Sequence, residues 1–310
     1  MTTGIAVFAY DRPDHLRRVL SGLRENNISH LYVFSDGPAT ESERPRVREV
    51  RTIIDKIEWC RTTVIERDQN LGLAESLTRG IERVFRDHDR IIVLEDDCVP
   101  APSFVSFVRT CLDRYENDDR VMSVNGYSPP INIPDDYPYD IYFTYRNSSW
   151  GWGTWKAAWE HFEQDPFTVD ELETNAPELK ENVRKAGRDL FPMMQKQIRG
   201  HIDSWAVWWS FAIASRDGVC VNPVNPQIRN IGHDGSGEHS GETERYDLTI
   251  SNINIPSLTF PENVFVHGTI NDRYNRFISG GRTRYTKRQL ANVLRRAGLW
   301  DTYKRLTNRS

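Results

Sequence analysis

The stretch Arg90-Ile-Ile-Val-Leu-Glu-Asp-Asp-Cys-Val-Pro100 decides how this chain is interpreted. Its apolar residues 91–94 predict a buried strand, and three consecutive carboxylates, Glu95, Asp96 and Asp97, follow directly. Three neighbouring acids repel one another, and the repulsion falls when a cation or a hydroxyl-bearing ligand lies among them. Because neighbouring side chains of an extended backbone point to opposite faces, Asp96 and Asp97 can serve different ligand groups. The motif indicates a ligand site, and a solvated strand end is the simpler alternative.

Three other predicted strands are also followed by polar residues. The strands cover residues 4–10, 30–35 and 62–67, and the polar residues after them are Asp11, Asp36 and Asn70. Helical spacing of apolar residues between the strands predicts that strands and helices alternate. Such alternation is typical of an α/β fold with a Rossmann-like wound, mostly parallel sheet and helices on both faces. Ligands of open sheets of this kind bind at the carboxyl ends of the strands, where these polar residues are expected.

The composition changes after about Tyr127, where prolines interrupt the chain and tryptophans become frequent. The stretch Ser149-Trp-Gly-Trp-Gly-Thr-Trp155 places aromatic rings beside glycine backbone, which suits stacking on the apolar faces of sugar rings. Core packing is the competing use of these tryptophans, and both remain open. A charge-rich helical stretch over residues 169–199 is expected to form a solvated face. The sequence thus predicts a first half over residues 1–127 and a smaller mixed region over 128–270 of the same domain.

The charge is unevenly distributed along the 310 residues, whose net charge is -4. From Asn271 onward basic residues far outnumber acids, so residues 271–310 form a basic tail. Helical spacing predicts an amphipathic helix there, with an apolar stripe of Leu290, Val293, Leu294 and Ala297. This helix could pack on the domain, or it could lie on an anionic membrane surface. Nucleic-acid binding is not expected, because the rest of the chain lacks a concentrated basic face.

Cysteine spacing and hydropathy indicate the compartment. The four cysteines, Cys60, Cys98, Cys111 and Cys220, have no C-x-x-C spacing, which argues against a zinc site and gives no disulfide framework. We expect them to be reduced and mostly buried. The sequence has no signal-like N-terminal segment and no apolar run that could span a bilayer. These features predict a cytoplasmic protein, with peripheral contact at the inner face of the membrane through the tail as the alternative.

Together these motifs resemble the GT-A fold nucleotide-sugar glycosyltransferases, in particular the bacterial relatives of N-acetylglucosaminyltransferase I, over roughly residues 4–245. In that family the first strand ends in a nucleotide-contacting motif, which Ala9, Tyr10 and Arg12 match. A following Ser-Asp element holds the base, and Asp36 matches its acid, although Asp36-Gly37 could be only a turn.

The acid triplet resembles the D-x-D motif of the same family. The resemblance implies that Asp96 contacts the ribose or the donor sugar and that Asp97 ligates Mn²⁺ or Mg²⁺. It also implies that Glu95 orients this group from behind. We take Asn70 and Ser76 as further candidate nucleotide contacts, and the alternative for the segment around Asn70 is a helix-capping turn.

The resemblance extends into the second half of the chain. Trp152 and Gly153 resemble part of the family's donor and acceptor wall. Asp203, in an Asp-x-Trp pattern, resembles the general base. N-acetylglucosaminyltransferase I itself has Asp-Asp-Trp with the base next to the tryptophan, whereas this chain has Ser204 there. The assignment of the base to Asp203 therefore follows the bacterial pattern.

A glycine-rich loop over residues 230–239 resembles the family element that closes over the diphosphate. His239 near its end matches the position of a further metal or phosphate ligand, and His233 is the weaker candidate. A simply exposed histidine is the alternative at either position.

The resemblance implies a hexosyl- or N-acetylhexosaminyltransferase that is inverting and metal-dependent and acts in surface polysaccharide or glycoconjugate synthesis. The donor would be a nucleoside diphosphate sugar, and the acceptor a saccharide, a lipid-linked saccharide or a glycoprotein. One alternative is a sugar nucleotidyltransferase, but such enzymes open with a glycine-rich loop that Ala9-Tyr-Asp-Arg-Pro13 lacks. The other is a non-catalytic carbohydrate-binding protein of the same fold, which would have no need of a base.

Overall fold

The computed structural model describes residues 1–162, 177–235, 245–246 and 248–280. The strands in these residues are β1 (Thr3–Ala9), β2 (His30–Ser35), β3 (Arg61–Glu66), β4 (Arg90–Glu95), β5 (Cys98–Pro100), β6 (Val121–Asn125), β7 (Ile141–Thr144), β8 (Trp152–Trp155), β9 (Val219–Pro223) and β10 (Ile228–Asn230). The helices are α1 (Pro13–Arg24), α2 (Arg44–Ile54), α3 (Leu73–Val84), α4 (Phe104–Arg114), α5 (Lys156–Trp159), α6 (Pro177–Lys185), α7 (Leu190–Ile198), α8 (Trp205–Ser215) and α9 (Gly268–Ile278).

The central sheet has the strand order β3-β2-β1-β4-β8-β6-β9-β7 within the described residues. The first four strands in this order are parallel to one another. β8 is antiparallel to both β4 and β6, β9 is parallel to β6, and the edge strand β7 is antiparallel to β9. The sheet is therefore mostly parallel in its first half and mixed in its second half. The predicted α/β fold with a wound, mostly parallel sheet is confirmed.

Alternating side chains of the sheet bury two separate faces. Ile5 and Val7 of β1 pack in a core with apolar residues of α1, α2 and α4. Ala6 and Phe8 of the same strand pack in a second core with α3 and α8. Because successive strand residues point to opposite faces, each strand contributes to both cores. The prediction of helices on both faces of the sheet is confirmed.

Two smaller apolar clusters extend the second half beyond the sheet. α6, α7 and α8 share a core that includes Val183, Leu190 and Met194. α6 exposes charged residues such as Glu181 and Arg184, as expected for a solvated face. The apolar residues of α6 and α7 fall on one side of each helix and are buried against α8. α9 packs on β7 through a cluster that includes Tyr142 and Tyr274.

The described residues bear on the expected state of the cysteines and on the expected lack of a membrane-spanning segment. All four cysteines are free thiols, and Cys98, Cys111 and Cys220 are buried as expected. Among the helices of the described residues, none has the length and apolar character needed to cross a membrane. The predicted amphipathic helix of the tail lies outside the described residues.

Two histidines are hydrogen-bonded at the amino edge of the sheet, opposite the strand ends that carry the acids. His30 at the start of β2 accepts a hydrogen bond from Arg61 at Nδ1 (3.1 Å), which requires the neutral ring. His88 contacts the Tyr32 hydroxyl through Nε2 (3.2 Å) and the Thr2 hydroxyl through Nδ1 (3.1 Å). Burial lowers the pKa of both histidines.

This edge should make stability depend on pH. The unfolded chain binds these two protons at about pH 6.5, and the folded chain binds them only at lower pH. The contribution of this edge to the free energy of unfolding is therefore complete above about pH 6.5. It falls as the pH drops from there through the lowered pKa values of the two histidines in the folded state. We expect the difference in Tm between wild type and a His30→Gln/His88→Gln variant to shrink when the pH is lowered from about 7.5 to about 5. A difference that stays constant over this range would contradict the assignment.

Candidate active site

The acid triplet lies at the carboxyl end of β4, near the middle of the sheet. β4 is flanked by β1 and β8, and Phe8 of β1 pairs with Glu95. Asp96 is 8% exposed, and the side chain of Asp97 is 15% exposed. The strand therefore delivers three neighbouring carboxylates into a site that is largely shielded from water.

Burial and crowding raise the pKa of Glu95 and of Asp96. Burial, reinforced by the charges of Asp97 and Asp96, raises the pKa of Glu95 to about 8. Burial and the charge of Asp97 raise the pKa of Asp96 to about 7, while Arg12 opposes both shifts. A group that brings positive charge to this site would favour the ionised acids. The arrangement suits the binding of a cation.

The turn after β1 is joined to the acid triplet and to the loop after β2. The backbone N–H of Tyr10 donates a hydrogen bond to Asp96 Oδ2 (3.1 Å). Its hydroxyl donates to Glu43 Oε2 (2.8 Å) and accepts from the N–H of Ala39 (3.0 Å). The neighbouring Ala9, the last residue of β1, accepts the N–H of Asp36 at its carbonyl oxygen (3.0 Å). The carboxyl ends of β1, β2 and β4 thus meet at one edge, as the strand-end polar residues predicted.

Asp97 is held at both carboxylate oxygens. Arg12 Nη1 contacts Oδ2 at 3.2 Å, and Asn230 Nδ2 donates to Oδ1 at 3.0 Å. The backbone N–H of Ile231 donates to the Asp97 carbonyl oxygen (2.9 Å), so the segment after β10 is bonded directly to the acid. Gly232 follows so closely that an added Cβ would overlap Asp97 Oδ2. The loop after β10 therefore covers the metal-ligand candidate, and glycine is the residue that permits this approach.

Asp36 and Asn70, the predicted contacts of the nucleobase, link the loops after β2 and β3 by hydrogen bonds. The carboxylate of Asp36 accepts the backbone N–H groups of Gly37 (3.0 Å) and Leu71 (3.1 Å). Asn70 Nδ2 donates to the Gly37 carbonyl oxygen (3.0 Å). Burial raises the pKa of Asp36, although these hydrogen bonds and Arg67 oppose the shift. Asp36 and Asn70 thus link the loops after β2 and β3 next to the turn that carries Tyr10.

Ser76 and Arg67 lie next to the same two loops, those after β2 and β3. Ser76 is buried in α3, and its carbonyl oxygen accepts a hydrogen bond from Arg67 Nη2 (2.9 Å). Arg67 Nη1 is buried without a hydrogen-bond partner and lies 4.0 Å from Asp36 Oδ1. Sequence analysis did not single out Arg67. Its place directly after β3 was the available signal, since the other strand-end polar residues were chosen on that ground.

Trp152 and Gly153 lie inside the central sheet. Trp152 is 0% exposed, and its ring stacks on Trp205 at a centroid distance of 5.2 Å. Gly153 pairs with Ile92 of β4, and a Cβ there would approach Val108 to 2.6 Å. Neither residue offers an exposed surface, so a direct contact with a sugar would require this packing to change. The core-packing interpretation that the sequence left open therefore fits Trp152.

The second half reaches the acid triplet through α8. Trp205, the first residue of α8, lies close enough to Glu95 for its side chain to oppose part of the rise in the pKa of that carboxyl. Asp203 is exposed and lies two residues before Trp205 in the chain. The Asp-x-Trp pattern therefore has a structural reason, because its tryptophan anchors the start of α8 on the acid site. Sequence analysis placed Asp203 here but did not identify the contact of Trp205.

The family comparison can be added to this geometry. The family model described as Glycosyl transferase family 2 matches residues 5–163, just over half of the chain. The chain belongs to glycosyl transferase family 2. The family 2 region runs from β1 to the end of α5 and contains the whole acid triplet, whereas Asp203 and the loop after β10 follow it. The predicted glycosyltransferase class is thereby confirmed, and the closer relation to N-acetylglucosaminyltransferase I stays a prediction.

Solved structures give distant likenesses to this family 2 chain. The S. aureus TarS 1–349 crystal structure is 10% identical with a TM-score of 0.44, over 74% of this chain and 60% of that one. The chain therefore spans less than two thirds of that structure. The mannosyltransferase PcManGT from Pyrobaculum calidifontis, solved with GDP-Man and Mn²⁺, is 11% identical with a TM-score of 0.40, over 69% and 68%. HddC from Yersinia pseudotuberculosis is 13% identical with a TM-score of 0.35, over 57% and 87%. No curated protein matches the chain.

A divalent ion at the family 2 site would need ligands from a substrate or from water in addition to side chains of the described residues. Within the described residues, no group of three or more His, Cys, Asp or Glu side chains could hold a metal ion. Ions of nucleotide enzymes commonly take one or two carboxylates and complete their coordination with phosphates and water. Asp97 can supply such a carboxylate.

His233 is a second group that fits a cation or a phosphate. Both of its ring nitrogens are buried and have no hydrogen-bond partner among the described residues. Burial lowers its pKa, and the charge of Asp97 partly offsets the shift. The ring stacks on Tyr246 (centroids 4.6 Å apart) and meets Trp150 edge-on (5.2 Å). His239, the stronger candidate from the sequence, lies outside the described residues.

The close approach of the loop after β10 leads to a prediction for Gly232→Ala. The added methyl group should displace the Asp97 carboxylate and weaken Mn²⁺-dependent binding of a nucleoside diphosphate by about 10- to 100-fold, as for other perturbed metal-ligand shells. Calorimetric titration with UDP, GDP and dTDP would measure this. Gly268→Ala is the matched control, because an added Cβ there meets no atom within 4 Å. Equal binding by both variants would show that the loop does not press on Asp97.

Proposed function

We propose that this family 2 protein transfers a sugar from a nucleoside diphosphate sugar to an acceptor hydroxyl with inversion at the anomeric carbon. The observation that carries the proposal is the acid triplet, because buried carboxylates at a strand end next to an arginine suit a cation and a diphosphate. The site lies at the carboxyl edge of a wound sheet, where such folds bind ligands.

The donor nucleotide would occupy the edge formed by the ends of β1 and β2. The side chains of Tyr10, Asp36 and Asn70 hydrogen-bond there to backbone groups of the loops after β2 and β3, and they would surround the base and the ribose. Asp96 would contact the ribose or the donor sugar, with Glu95 fixing its surroundings. The distinction between uracil, guanine and thymine would rest on the shape around Asp36 and Arg67.

The diphosphate would lie beside the Arg12–Asp97 ion pair. Asp97 would hold Mn²⁺ or Mg²⁺ together with phosphate oxygens, and His233 or His239 would provide a further contact. When bound, such an ion supplies positive charge that stabilises a leaving diphosphate. Arg12 adds a fixed positive charge at the same place. Burial lowers the pKa of its guanidinium, but the neighbouring charges of Asp96 and Asp97 outweigh this effect, so the pKa is raised.

Asp203 would act as the general base. It would take the proton from the acceptor hydroxyl while that oxygen attacks the anomeric carbon from the face opposite the diphosphate. Two observations support this role: the side chain is exposed and therefore accessible to an acceptor, and Trp205, two residues on, contacts Glu95. The new bond forms between the acceptor oxygen and the sugar, and the bond to the diphosphate breaks.

The acceptor side is assigned to residues 128–270 and the donor side to residues 1–127, with 271–310 as the basic tail. We propose a hexosyl- or N-acetylhexosaminyltransferase related to N-acetylglucosaminyltransferase I. Its acceptor would be a saccharide, a lipid-linked saccharide or a glycoprotein in surface polysaccharide or glycoconjugate synthesis. A cytoplasmic site of action, with the tail at the inner face of the membrane, would suit a lipid-linked acceptor.

A thermal-shift comparison of wild type and Asp97→Ala tests the donor site. UDP-, GDP- and dTDP-sugars are added with and without Mn²⁺. We expect one nucleotide class to raise the Tm of wild type only when Mn²⁺ is present, since binding to the folded state stabilises it. The variant should lose this rise. If no sugar nucleotide stabilises wild type, the donor-site proposal fails in favour of a carbohydrate-binding protein of this fold.

Asp203→Asn tests the base. The amide keeps the size of the side chain but cannot accept the proton, so turnover should fall by about 10² to 10⁴, the usual contribution of a positioned base. The Tm rise with the donor and Mn²⁺ should be unchanged, because Asp203 is assigned to the acceptor. Near-normal turnover in this variant would remove Asp203 from the mechanism. Release of pyrophosphate from a sugar phosphate and a nucleoside triphosphate would instead identify a nucleotidyltransferase.

A further inference from the structure

Asn230 makes a pair of side-chain contacts that the proposed reaction does not by itself require. It is the last residue of β10 and is 7% exposed. Its Nδ2 donates to Asp97 Oδ1 (3.0 Å), and its Oδ1 accepts the backbone N–H of Gly232 (2.9 Å). One amide therefore bridges the acid and the loop that covers it.

The orientation of this amide follows from its partners. A carboxylate accepts hydrogen bonds and a backbone N–H donates them, so Nδ2 must face Asp97 and Oδ1 must face Gly232. The flipped amide would place two acceptors against each other at Asp97 and two donors against each other at Gly232. The side chain thus has one satisfied orientation, which fixes the position of its donor relative to Asp97.

This contact selects which oxygen of Asp97 remains available. Oδ1 receives Asn230 and the thiol of Cys98 (3.3 Å), so its lone pairs are largely engaged. Oδ2 receives only Arg12 among the described residues and lies next to Gly232, where there is no side chain. A carboxylate without the Asn230 contact could rotate about its Cβ–Cγ bond and exchange the two oxygens.

We propose that Asn230 is a positioning residue that orients Asp97 so that Oδ2 faces the ligand. The inference rests on the proposed donor site and assigns Asn230 a part in binding the cation and the diphosphate. Residues that orient a metal ligand in this way typically change metal affinity by 10- to 100-fold when they are removed.

The local fold does not depend on this side chain. Asn230 pairs with Cys98 through the antiparallel β10-β5 ladder, and the N–H of Ile231 donates to the Asp97 carbonyl oxygen. These contacts use backbone atoms only. An alanine at this position should keep the two-stranded sheet and lose the two contacts of the amide, with Asp97 and with the Gly232 N–H.

The test measures the Mn²⁺ concentration that gives half-maximal binding of the nucleoside diphosphate that stabilises wild type. Asn230→Ala should raise this concentration about 10- to 100-fold. Asn222→Ala is the matched control, because Asn222 is also buried and bonded through its side chain, to Asn125 and Thr144, away from the acids. It should lower the Tm without changing the Mn²⁺ requirement.

A second variant separates the two contacts of the amide. Asn230→Asp keeps an acceptor for the Gly232 N–H but removes the donor to Asp97, so it should also weaken Mn²⁺-dependent binding. Binding by either variant that is as tight as wild type would overturn the positioning role. If wild type itself shows no Mn²⁺-dependent binding, the donor-site proposal fails, and that result is distinct from failure at Asn230.

Discussion

The crowding of three carboxylates at the end of a buried strand is the constraint on which the rest of the site depends. At an effective dielectric constant of about 20, two unit charges 4 Å apart interact by about 4 kcal/mol, which is comparable to much of a domain's stability. The protein relieves the repulsion in two ways. Glu95 and Asp96 have raised pKa values, and Arg12 contacts Asp97. The hydrogen bonds to the acids hold the turn after β1, through Tyr10 and Arg12, and the end of β10, through Asn230.

The groups next to the acids connect the two halves of the chain. The N–H of Tyr10 comes from the turn after β1, Trp205 comes from the start of α8, and Asn230 comes from the end of β10. Parallel strands place the first turn next to the acids, since β1 is the neighbour of β4. The other two groups come from beyond residue 200. The acid site is therefore where residues 1–127 and the region after residue 200 are held together, which suits a reaction between two substrates.

The elements of the fold followed from sequence patterns, because they depend on local periodicity. Alternating apolar strands and helices gave the wound sheet, and strand-end polar residues gave its ligand edge. Asp36, Asn70 and the triplet became candidate site residues for this reason. Trp152 was ambiguous, since aromatic residues beside glycines fit both a sugar-stacking surface and a core. Its burial against Trp205 depends on the position of α8, which is set by packing across about fifty residues of chain.

By itself the sequence determined the strand-helix alternation, the place of the carboxylates after β4 and the chemistry they can support, because these depend on residue type and neighbours in the chain. Only the tertiary structure decided which groups touch those carboxylates. The contacts of Asp97 with Asn230 and of Glu95 with Trp205 join residues more than a hundred positions apart. The order of strands in the sheet brings such residues together, and no local pattern encodes that order. The need for glycine at Gly232 likewise follows only from the tertiary structure, because the loop backbone approaches the Asp97 carboxylate there.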